Sequence, residues 1–414
     1  MKNLKNSGIE WLGEIPEHWE VVKIKHIFNI GRGRVISQEE LDENGNFPVY
    51  SSQTTNNGIL GYIKTYDFDC EQITWTTDGV NAGTIFLRNG KYNCTNVCGI
   101  LKPRNNENMS FLTYALQNVT PYYKRPDTNG AKIMNNEMAN IQIVYPPLKE
   151  QEQIANFLDE KCEKIQNFIE KKEKLLSLLQ EQKQALIDET ITKGLDKNVK
   201  LKNSGIEWLG EIPEHWEMVR LANFGIFLKG NGISRQDLIE DGEPAIHYGD
   251  IYTKYEISTT ALKSRISTET AQNITSIHNG DILFAGSGET KEDIGKNIVY
   301  LGKEKAFAGG DVIIFRQKKN NALFLSYALN TKYVKSLKGI DSKGEIIVHI
   351  YASNLKDIKI PIPPLKEQEQ IANFLDEKCE KIDSLITKIK KQIELIKEYK
   401  TTLINEAVCG RMNL

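Results

Sequence analysis

The sequence predicts an α+β chain in which two mixed α/β domains are separated by two long antiparallel coiled-coil helices, with a pseudo-twofold internal repeat. Two pairs of identical segments lead to this fold class. Block one, "LKNSGIEWLGEIPEHWE", occupies Leu4–Glu20 and returns unchanged at Leu201–Glu217. Block two, "PPLKEQEQIANFLDEKCEKI", occupies Pro146–Ile165 and returns unchanged at Pro363–Ile382. The order is block one, an insert and block two, after which the same order begins again.

The two inserts, Val21–Tyr145 and Met218–Ile362, differ strongly but keep matching stretches. "ISQEELDENG" in the first corresponds to "ISRQDLIEDG" in the second, and "FLTYAL" corresponds to "FLSYAL". Short apolar runs bounded by Gly and Asn predict strands. In both inserts a serine, Ser37 or Ser234, stands three residues before an acidic residue, which is typical of a helix start. We therefore expect one shared mixed α/β fold with different surfaces.

Block two predicts the start of a long helix, because a proline pair precedes it and apolar residues then recur near every 3.5 positions. In the first copy these residues are Ile154, Leu158, Ile165, Phe168, Leu175, Leu179 and Leu186. Gly194 and Gly410 are the expected stops of the two helices. Each helix would leave an apolar stripe exposed if it stood alone, so the two should pack together. The second insert lies between them in the chain, which favours an antiparallel pair.

Four segments follow from this order. Residues 1–147 form the first mixed domain with its block one, and residues 148–200 form the central spacer helix and linker. Residues 201–364 form the second mixed domain with its block one, and residues 365–414 form the C-terminal spacer helix.

The charge distribution gives weak support for a nucleic-acid partner. The whole chain has a formal net charge of −2, but the inserts carry +1 and +3 and the remainder carries −6. A second protein that supplies part of the phosphate contacts would fit this balance better than an isolated DNA-binding chain. No apolar run is long enough to predict a membrane span, no signal peptide is evident, and the cysteine spacing is not that of a metal site. We expect a cytoplasmic protein with reduced thiols and no bound metal.

The ordered double repeat, with two "WLGEIPEHWE" segments and two "PPLKEQEQIANFLDEKCEKI" helices around divergent inserts, resembles the specificity subunit of type I restriction-modification systems. The resemblance implies that the inserts are target-recognition domains, each reading one half of a bipartite site in double-stranded DNA. It implies that the repeated blocks dock two adenine methyltransferase subunits and that restriction subunits complete the complex. The chain itself would be non-catalytic and would hold no cofactor, while S-adenosylmethionine, ATP and Mg²⁺ would bind to partner subunits.

Polar side chains on Gly-rich turns are the candidates for reading bases. In the first insert these candidates are Ser51, Ser52, Gln53, Thr54, Asn56, Asn57, Thr76, Thr77, Lys124, Arg125, Asn129 and Lys132. In the second insert they are His247, Tyr248, Asp250, Ser287, Glu289, Lys291, Lys338, Ser342 and Lys343. The candidates for binding partner subunits lie in block one and are Trp11, His18, Trp19, Trp208, His215 and Trp216.

Two other classes of function remain open at this stage. Asp281, Glu289 and Lys291 resemble the Asp…Glu-x-Lys pattern of metal-dependent nucleases, in which paired carboxylates hold Mg²⁺. A chain that cuts DNA alone with Mg²⁺ would support that alternative. The chain could also be a non-enzymatic coiled-coil adaptor, and failure to prefer any DNA duplex in the presence of its methyltransferase would favour that class.

Overall fold

A computed structural model describes residues 3–128, 130–344 and 347–414 of the chain. The chain divides into two compact units, each containing one insert. Unit 1 consists of Met1–Glu173 together with Lys390–Leu414, and unit 2 is the continuous stretch Lys174–Ile389. In the described residues no helix is long and apolar enough to cross a membrane.

Unit 1 contains short strands and three short helices before the first long helix. Its strands are β1 (Leu4–Asn6), β2 (Glu14–Pro16), β3 (Glu20–Lys23), β4 (Phe28–Arg32), β5 (Phe47–Tyr50), β6 (Ile59–Ile63), β7 (Phe68–Asp69), β8 (Gln72–Thr76), β9 (Asp78–Gly79), β10 (Ile85–Arg88), β11 (Lys91–Cys94), β12 (Cys98–Pro103), β13 (Arg125–Asp127), β14 (Gly130–Lys132) and β15 (Gln142–Tyr145). Its helices are α1 (Ile24–Ile27), α2 (Met109–Val119) and α3 (Asn135–Asn140), followed by the long helix α4 (Leu148–Lys193).

The strands of the first insert form two main sheets and a small one. The main sheets have the orders β10-β8-β12-β4 and β6-β5-β11-β7, and the small sheet has the order β13-β14-β9. The pairing of β5 with β11 is parallel, whereas β12 pairs antiparallel with both β4 and β8. Tyr92, Cys94, Cys98 and Ile100 form one of the buried apolar clusters of this insert. The two ends of the insert pair with each other through β3 and β15.

Unit 2 repeats this plan with more strands and helices. Its strands are β16 (Leu201–Asn203), β17 (Glu211–Pro213), β18 (Glu217–Arg220), β19 (Gly225–Lys229), β20 (Leu238–Ile239), β21 (Glu243–Ile246), β22 (Ser258–Thr259), β23 (Ser264–Ile266), β24 (Ser276–Ile277), β25 (Ile282–Ala285), β26 (Ser287–Gly288), β27 (Asn297–Tyr300), β28 (Ala306–Ala308), β29 (Val312–Gln317), β30 (Val348–His349) and β31 (Lys359–Ile362). Its helices are α5 (Tyr248–Thr253), α6 (Thr268–Ala271), α7 (Ala322–Ala328), α8 (Lys332–Ile340) and α9 (Ala352–Lys356). The long helix α10 (Leu365–Val408) begins in unit 2 and belongs to unit 1 from Lys390 onward, just as α4 passes from unit 1 to unit 2 after Glu173.

The sheets of the second insert correspond strand by strand to those of the first. The order β19-β29-β25-β27-β22 extends the order β4-β12-β8-β10 by one strand, and β21 pairs parallel with β28 as β5 does with β11. The pair β26-β30 corresponds to β9-β14, and β18-β31 corresponds to β3-β15. The prediction that the inserts share one fold is therefore confirmed.

The two inserts differ in the segment that follows β5 in the first insert and β21 in the second. In the first insert β5 is followed by a 3₁₀ turn at Thr55–Gly58, whereas in the second β21 is followed by α5. The serine signatures do begin helical turns, because Glu40 accepts from the backbone N–H of Ser37 and Asp237 accepts from that of Ser234. Each is only one 3₁₀ turn long.

The two long helices run antiparallel where they meet within each unit. In unit 1, Glu173 of α4 lies 3.8 Å from Lys397 of α10, and the start of α4 lies beside the residues that end α10. In unit 2, Lys183 Nζ lies 2.7 Å from Asp383, and Gly194, just past the end of α4, lies beside Glu367 at the start of α10. In each unit, residues early in one long helix contact residues late in the other. The predicted antiparallel pairing is therefore confirmed within each unit.

The buried stripe of α4 departs from the predicted spacing in its middle. Ile154, Leu158 and Ile165 are buried as predicted, but Phe168 and Leu175 are exposed. Burial passes instead to the neighbouring Ile169. An α-helix has 3.6 residues per turn and therefore drifts against a strict 3.5-residue repeat, which moves the buried position along the chain. Gly194 (φ +73°) and Gly410 (φ +72°) follow the helix ends, as predicted.

Candidate nucleic-acid interface

Three candidate reading loops of the first insert meet beside one turn, Thr95–Val97. The backbone N–H of Thr95 donates to Tyr50 O (2.9 Å), and Thr95 Oγ1 lies 3.2 Å from Ser51 Oγ. The backbone N–H of Thr77 donates to Val97 O (3.1 Å). Directly after Thr77, β9 pairs with β14. Strand β14 pairs in turn with β13, and the two strands form a hairpin that carries Arg125 and Lys132, called the basic hairpin below. The sequence-predicted loops are thus brought to the same end of the unit.

The loop at 51–58 presents amides on an unusual backbone. Asn56 (φ 48°) and Asn57 (φ 52°) both adopt the left-handed region, which is uncommon for residues other than glycine. Both are exposed, whereas Ser51, Ser52, Gln53 and Thr54 are half-buried. Gln53 Nε2 donates to the carbonyl of Ile59 and so helps to close the loop. Asn56 and Asn57 are the residues of this loop best placed to meet a base edge.

The basic hairpin carries cations that are partly neutralised. Arg125 Nε lies 2.5 Å from Glu137, and Lys132 Nζ lies 3.0 Å from Asp127. Lys124 is exposed at the start of the hairpin. The candidate Asn129 lies outside the described residues. A phosphate or a guanine would compete with the two carboxylates for Arg125 and Lys132.

The candidate loops of the second insert surround a cavity of about 720 Å³. His247, Tyr248 and Glu289 line it, and the exposed Ile347 stands at its edge. The imidazole of His247 packs on the ring of Tyr248 with 4.4 Å between centroids. Pairing of β26 with β30 brings the loop of Glu289 and Lys291 to the segment of Ser342 and Lys343. These loops occupy the same topological position as those of the first insert.

Four of the candidates are wrong as base contacts because their side chains are buried and already bonded. Thr76 is the last residue of β8 and Thr77 follows it; their hydroxyls donate to the backbone carbonyls of Asn81 and Val97, respectively. Ser287 lies 2.9 Å from His349 Nδ1 and donates to Asp311. Asp250 is buried between Lys254 and Ser264, at 2.8 Å from each. Turn-forming residues commonly use their side chains to satisfy nearby polar groups, and these positions do so.

Lys338 is also wrong as a DNA contact, because it is completely buried in the core of unit 2. Its ammonium donates to Gly295 O (2.6 Å) and Leu329 O (3.0 Å), and it therefore ties α8 to the sheet. Burial, together with the charge of Lys335, lowers the pKa of Lys338 to about 7. The Lys338 amine is a structural hydrogen-bond donor to neutral carbonyl partners.

This burial predicts a pH dependence of stability. Between the folded pKa of about 7 and the ordinary value of 10.5, the unfolded chain binds a proton at Lys338 that the folded chain has lost. The free energy of unfolding should therefore rise with pH in this window. Between pH 7 and pH 9, the free energy of unfolding of the wild type should rise by about 2 kcal/mol more than that of a Lys338→Met variant, since one pKa unit corresponds to about 1.4 kcal/mol. Denaturant unfolding at both pH values measures this difference, and an exposed-site variant, Lys291→Met, should show no such divergence.

The two copies of block one bind the two copies of block two through the same contacts. His18 Nε2 lies 2.7 Å from Glu150 Oε1, and Trp19 Nε1 donates to Glu150 Oε2 (2.9 Å). In unit 2, Glu367 makes the same contacts with His215 (2.9 Å) and Trp216 (3.2 Å). Sequence reasoning missed these two glutamates, although each lies in a block that repeats together with its partner block.

Trp19 and Trp216 are wrong as surfaces for a partner protein, because both rings are buried inside their own unit. Trp19 is covered by Gly410, and Trp216 is covered by Gly194. A Cβ on Gly410 would lie 2.9 Å from the ring of Trp19, so only glycine leaves room there. The exposed members of the same blocks, His18 and His215, remain available.

The remaining tryptophan pair differs between the identical blocks. Trp11 stacks on Tyr122 of the first insert, with 4.5 Å between ring centroids and an interplanar angle of 10°. Trp208, at the same position of the second copy, is 62% exposed. The surroundings of an invariant block are therefore set in part by the insert beside it.

The nuclease alternative is wrong on geometry. The carboxylate of Asp281 is buried and accepts two hydrogen bonds from Arg316, at 2.6 Å and 2.9 Å. This pairing raises the pKa of Arg316. The strand β25 lies between Asp281 and Glu289, which separates them by roughly 13 Å at 3.3 Å per residue. Across the three described ranges, no group of three His, Cys, Asp or Glu residues could hold a metal ion.

Comparison with known proteins gives consistent matches. The family model described as "Type I restriction modification DNA specificity domain" matches residues 16–177 and 213–395. The "Type I restriction enzyme MjaVIII specificity subunit" of Methanocaldococcus jannaschii is 30% identical over 425 aligned positions, which cover 97% of this chain and 94% of that protein. The "Putative type I specificity subunit S.MpnORF507P" of Mycoplasma pneumoniae is 49% identical over 138 residues. That match spans 33% of this chain and only 38% of the relative.

A chain solved in work on complex assembly and conformational transition of the type I R-M system aligns with a TM-score of 0.68. The alignment covers 96% of this chain and 99% of that chain at 15% sequence identity. At that identity the likeness shows a shared fold and no more.

Proposed function

Because this chain belongs to the type I restriction-modification DNA specificity family, we propose that it is the sequence-reading subunit of a type I restriction-modification complex. Each insert reads one half of a bipartite site in double-stranded DNA. The observation that carries this proposal is the repeated topology, in which the candidate loops of both inserts gather at equivalent strand ends. A pseudo-repeated chain can place two different readers on one duplex, whereas a symmetric homodimer reads two equal half-sites.

Among the predicted candidates that the structure describes, we retain those whose side chains are not buried, and Asn129 stays a prediction from the sequence. Loop residues with polar side chains can reach base edges, and the lysines and arginines can reach guanines or phosphates. We propose Ser51, Ser52, Gln53, Thr54, Asn56, Asn57, Lys124, Arg125, Asn129, Lys132, His247, Tyr248, Glu289, Lys291, Ser342 and Lys343.

The partners we propose are two adenine methyltransferase subunits, which dock on the repeated blocks, and restriction subunits. The support is that the same two blocks interlock twice through the same His–Trp–Glu contacts. The chain has no catalytic role of its own in this proposal. S-adenosylmethionine, ATP and Mg²⁺ would bind to the partner subunits, and the complex would act in the cytoplasm.

The function is tested by producing the chain together with its methyltransferase in a host that lacks adenine methylation. Sequencing of modified bases should reveal one bipartite motif with a methyladenine on each strand. A chain that only bridges other proteins would leave the genome unmodified, and a continuous motif would contradict the two-reader arrangement.

The exposed Trp208 gives a more local prediction. Buried aromatic anchors often supply 2 kcal/mol or more at protein interfaces. Trp208→Ala should therefore weaken the binding of one methyltransferase subunit by about 30-fold, while the other dock is unaffected. Native mass spectrometry of a titration would show a one-methyltransferase species at concentrations that saturate the wild type. The matched variant Trp11→Ala should weaken its dock less, because Trp11 already packs on Tyr122. Full occupancy of both docks in Trp208→Ala would contradict the assignment.

A further inference from the structure

Arg88 is a buried arginine in the first insert, at the end of β10. It is 2% exposed. The guanidinium lies between two aromatic rings, 3.6 Å from the centroid of Tyr50 and 4.2 Å from that of Phe86. Its Nε donates to Thr74 Oγ1 at 3.2 Å. These contacts hold the guanidinium plane in one orientation.

The outer edge of this guanidinium lacks a well-placed acceptor. Neither Nη1 nor Nη2 of Arg88 makes a well-formed hydrogen bond within the described part of the chain, where the Tyr50 hydroxyl makes only a weak contact with the guanidinium. Gln72, which is opposite Arg88 in the β8–β10 register, is buried and its side chain interacts with the hydroxyl of Tyr92. Burying an unpaired cation is costly, and polar groups left in this state need a specific explanation. The two terminal nitrogens of Arg88 therefore indicate a ligand that offers two adjacent acceptors.

The loop at 51–58 packs over Arg88 and shields it from solvent. A Cβ on Gly58 would lie 3.0 Å from Arg88 Nη2, so the loop backbone is directly against the cation. The two preceding residues, Asn56 and Asn57, are in the left-handed region. Residues held in such conformations cluster at ligand clamps and switch segments. An unpaired cation therefore lies under a strained loop that already belongs to the candidate interface.

The second insert has no equivalent of this cluster. Matching "QITW" in β8 with "DILF" in β25 places Tyr300 where Arg88 stands, given the strand pairings of each sheet. The hydroxyl of Tyr300 donates to Glu304 O at 2.8 Å and is satisfied. The arginine is a feature of one reader, as a residue that chooses bases should be.

We propose that Arg88 is a specificity-determining residue that reads a guanine in the half-site of the first insert once the loop at 51–58 moves aside. Its Nε is occupied by Thr74, so Nη1 and Nη2 present two parallel donors. Guanine offers two matching acceptors, O6 and N7, in the major groove. Lysine could not reproduce this planar fork. The inference rests on the proposed DNA-reading function.

The test is Arg88→Met in the complete complex with the methyltransferase. Methionine keeps an unbranched apolar side chain in the same space but removes the unpaired cation. The free energy of unfolding should stay equal or rise. Affinity for the cognate duplex should fall by about 10-fold to 100-fold, the usual worth of a bidentate base contact. In a panel that replaces each base pair of the site in turn, discrimination should disappear at one G·C pair of the first half-site and persist elsewhere.

The matched control is Tyr300→Phe, which should leave base preference unchanged in both half-sites. If Arg88→Met does not fold, Arg88→Lys is the second variant: it keeps the charge but lacks the planar two-donor fork, so the guanine preference should weaken at the same base pair. An unchanged preference at every position would overturn the inference. A uniform loss for all sequences would also overturn it, because that is the behaviour of a phosphate contact. Should the wild-type complex prefer no duplex, the proposed function would fail rather than this assignment.

Discussion

Replacing Trp19 by alanine is expected to lower the free energy of unfolding of unit 1 by about 3–5 kcal/mol, the usual cost of truncating a buried aromatic residue. The ring is fully buried, packs against Gly410 and donates its indole N–H to Glu150. Truncation leaves a cavity and removes one donor from a partly buried carboxylate. Denaturant unfolding followed by hydrogen exchange should show loss of protection throughout unit 1, including the last turns of α10.

The chain provides its own controls for this variant. Trp216→Ala should produce the same loss in unit 2, because Glu367 and Gly194 surround it in the same way. Trp208→Ala should change the unfolding free energy by less than about 0.5 kcal/mol, since an exposed substitution removes little packing. Unaltered protection in Trp19→Ala would mean that block one is attached to its helices by other contacts. A docking defect in that variant would not by itself identify a partner surface.

Exchange of the first insert, Val21–Tyr145, for that of another family member is expected to replace one half-site completely and leave the other unchanged. The physical reason lies where the insert begins and ends. Glu20 pairs with Tyr145, and Val21 pairs with Val144, so the first and last residues of the insert lie on adjacent, paired strands. The second insert closes in the same way, through Glu217 and Ile362. The strand pairing at each junction can therefore be kept when an insert is exchanged, whereas contacts such as that of Trp11 with Tyr122 change with the insert.

Sequencing of modified bases in strains carrying the original and the exchanged chain measures this result directly. The reciprocal exchange of Met218–Ile362 is the matched control and should change only the other half-site. A simultaneous change of both half-sites, with normal folding, would contradict the assignment of one reader to each insert.

The sequence predicted those features that depend on local pattern and on repetition. Identical blocks and matching strand runs predicted the shared insert fold, and the apolar spacing with Gly194 and Gly410 predicted the long helices. Burial of individual polar residues depends on chain segments that are remote in sequence. Lys338 lies on a helix that looks amphipathic, but its ammonium is enclosed by carbonyls of Gly295 and Leu329.

The same limit applies to Trp19 and Arg88. Trp19 looked like a surface anchor because no local signal shows that Gly410 covers it. Nothing in the run "GTIFLRNGKY" distinguishes Arg88, and only the structure shows that the loop at 51–58 covers it. Alternation along a strand separates its two faces, but it does not show which face other segments cover.

The division of the chain into a continuous unit 2 and a discontinuous unit 1 has a consequence for biosynthesis. Every residue of unit 2, Lys174–Ile389, is added to the growing chain before Lys390–Leu414. Unit 1 is translated first, yet it must wait for that last segment to cover Trp19 and the start of α4. Closing so long a loop is entropically costly, and an already folded unit 2 shortens the flexible part that has to be closed. Folding of unit 2 should therefore assist the completion of unit 1, which cannot close before Lys390–Leu414 has been made.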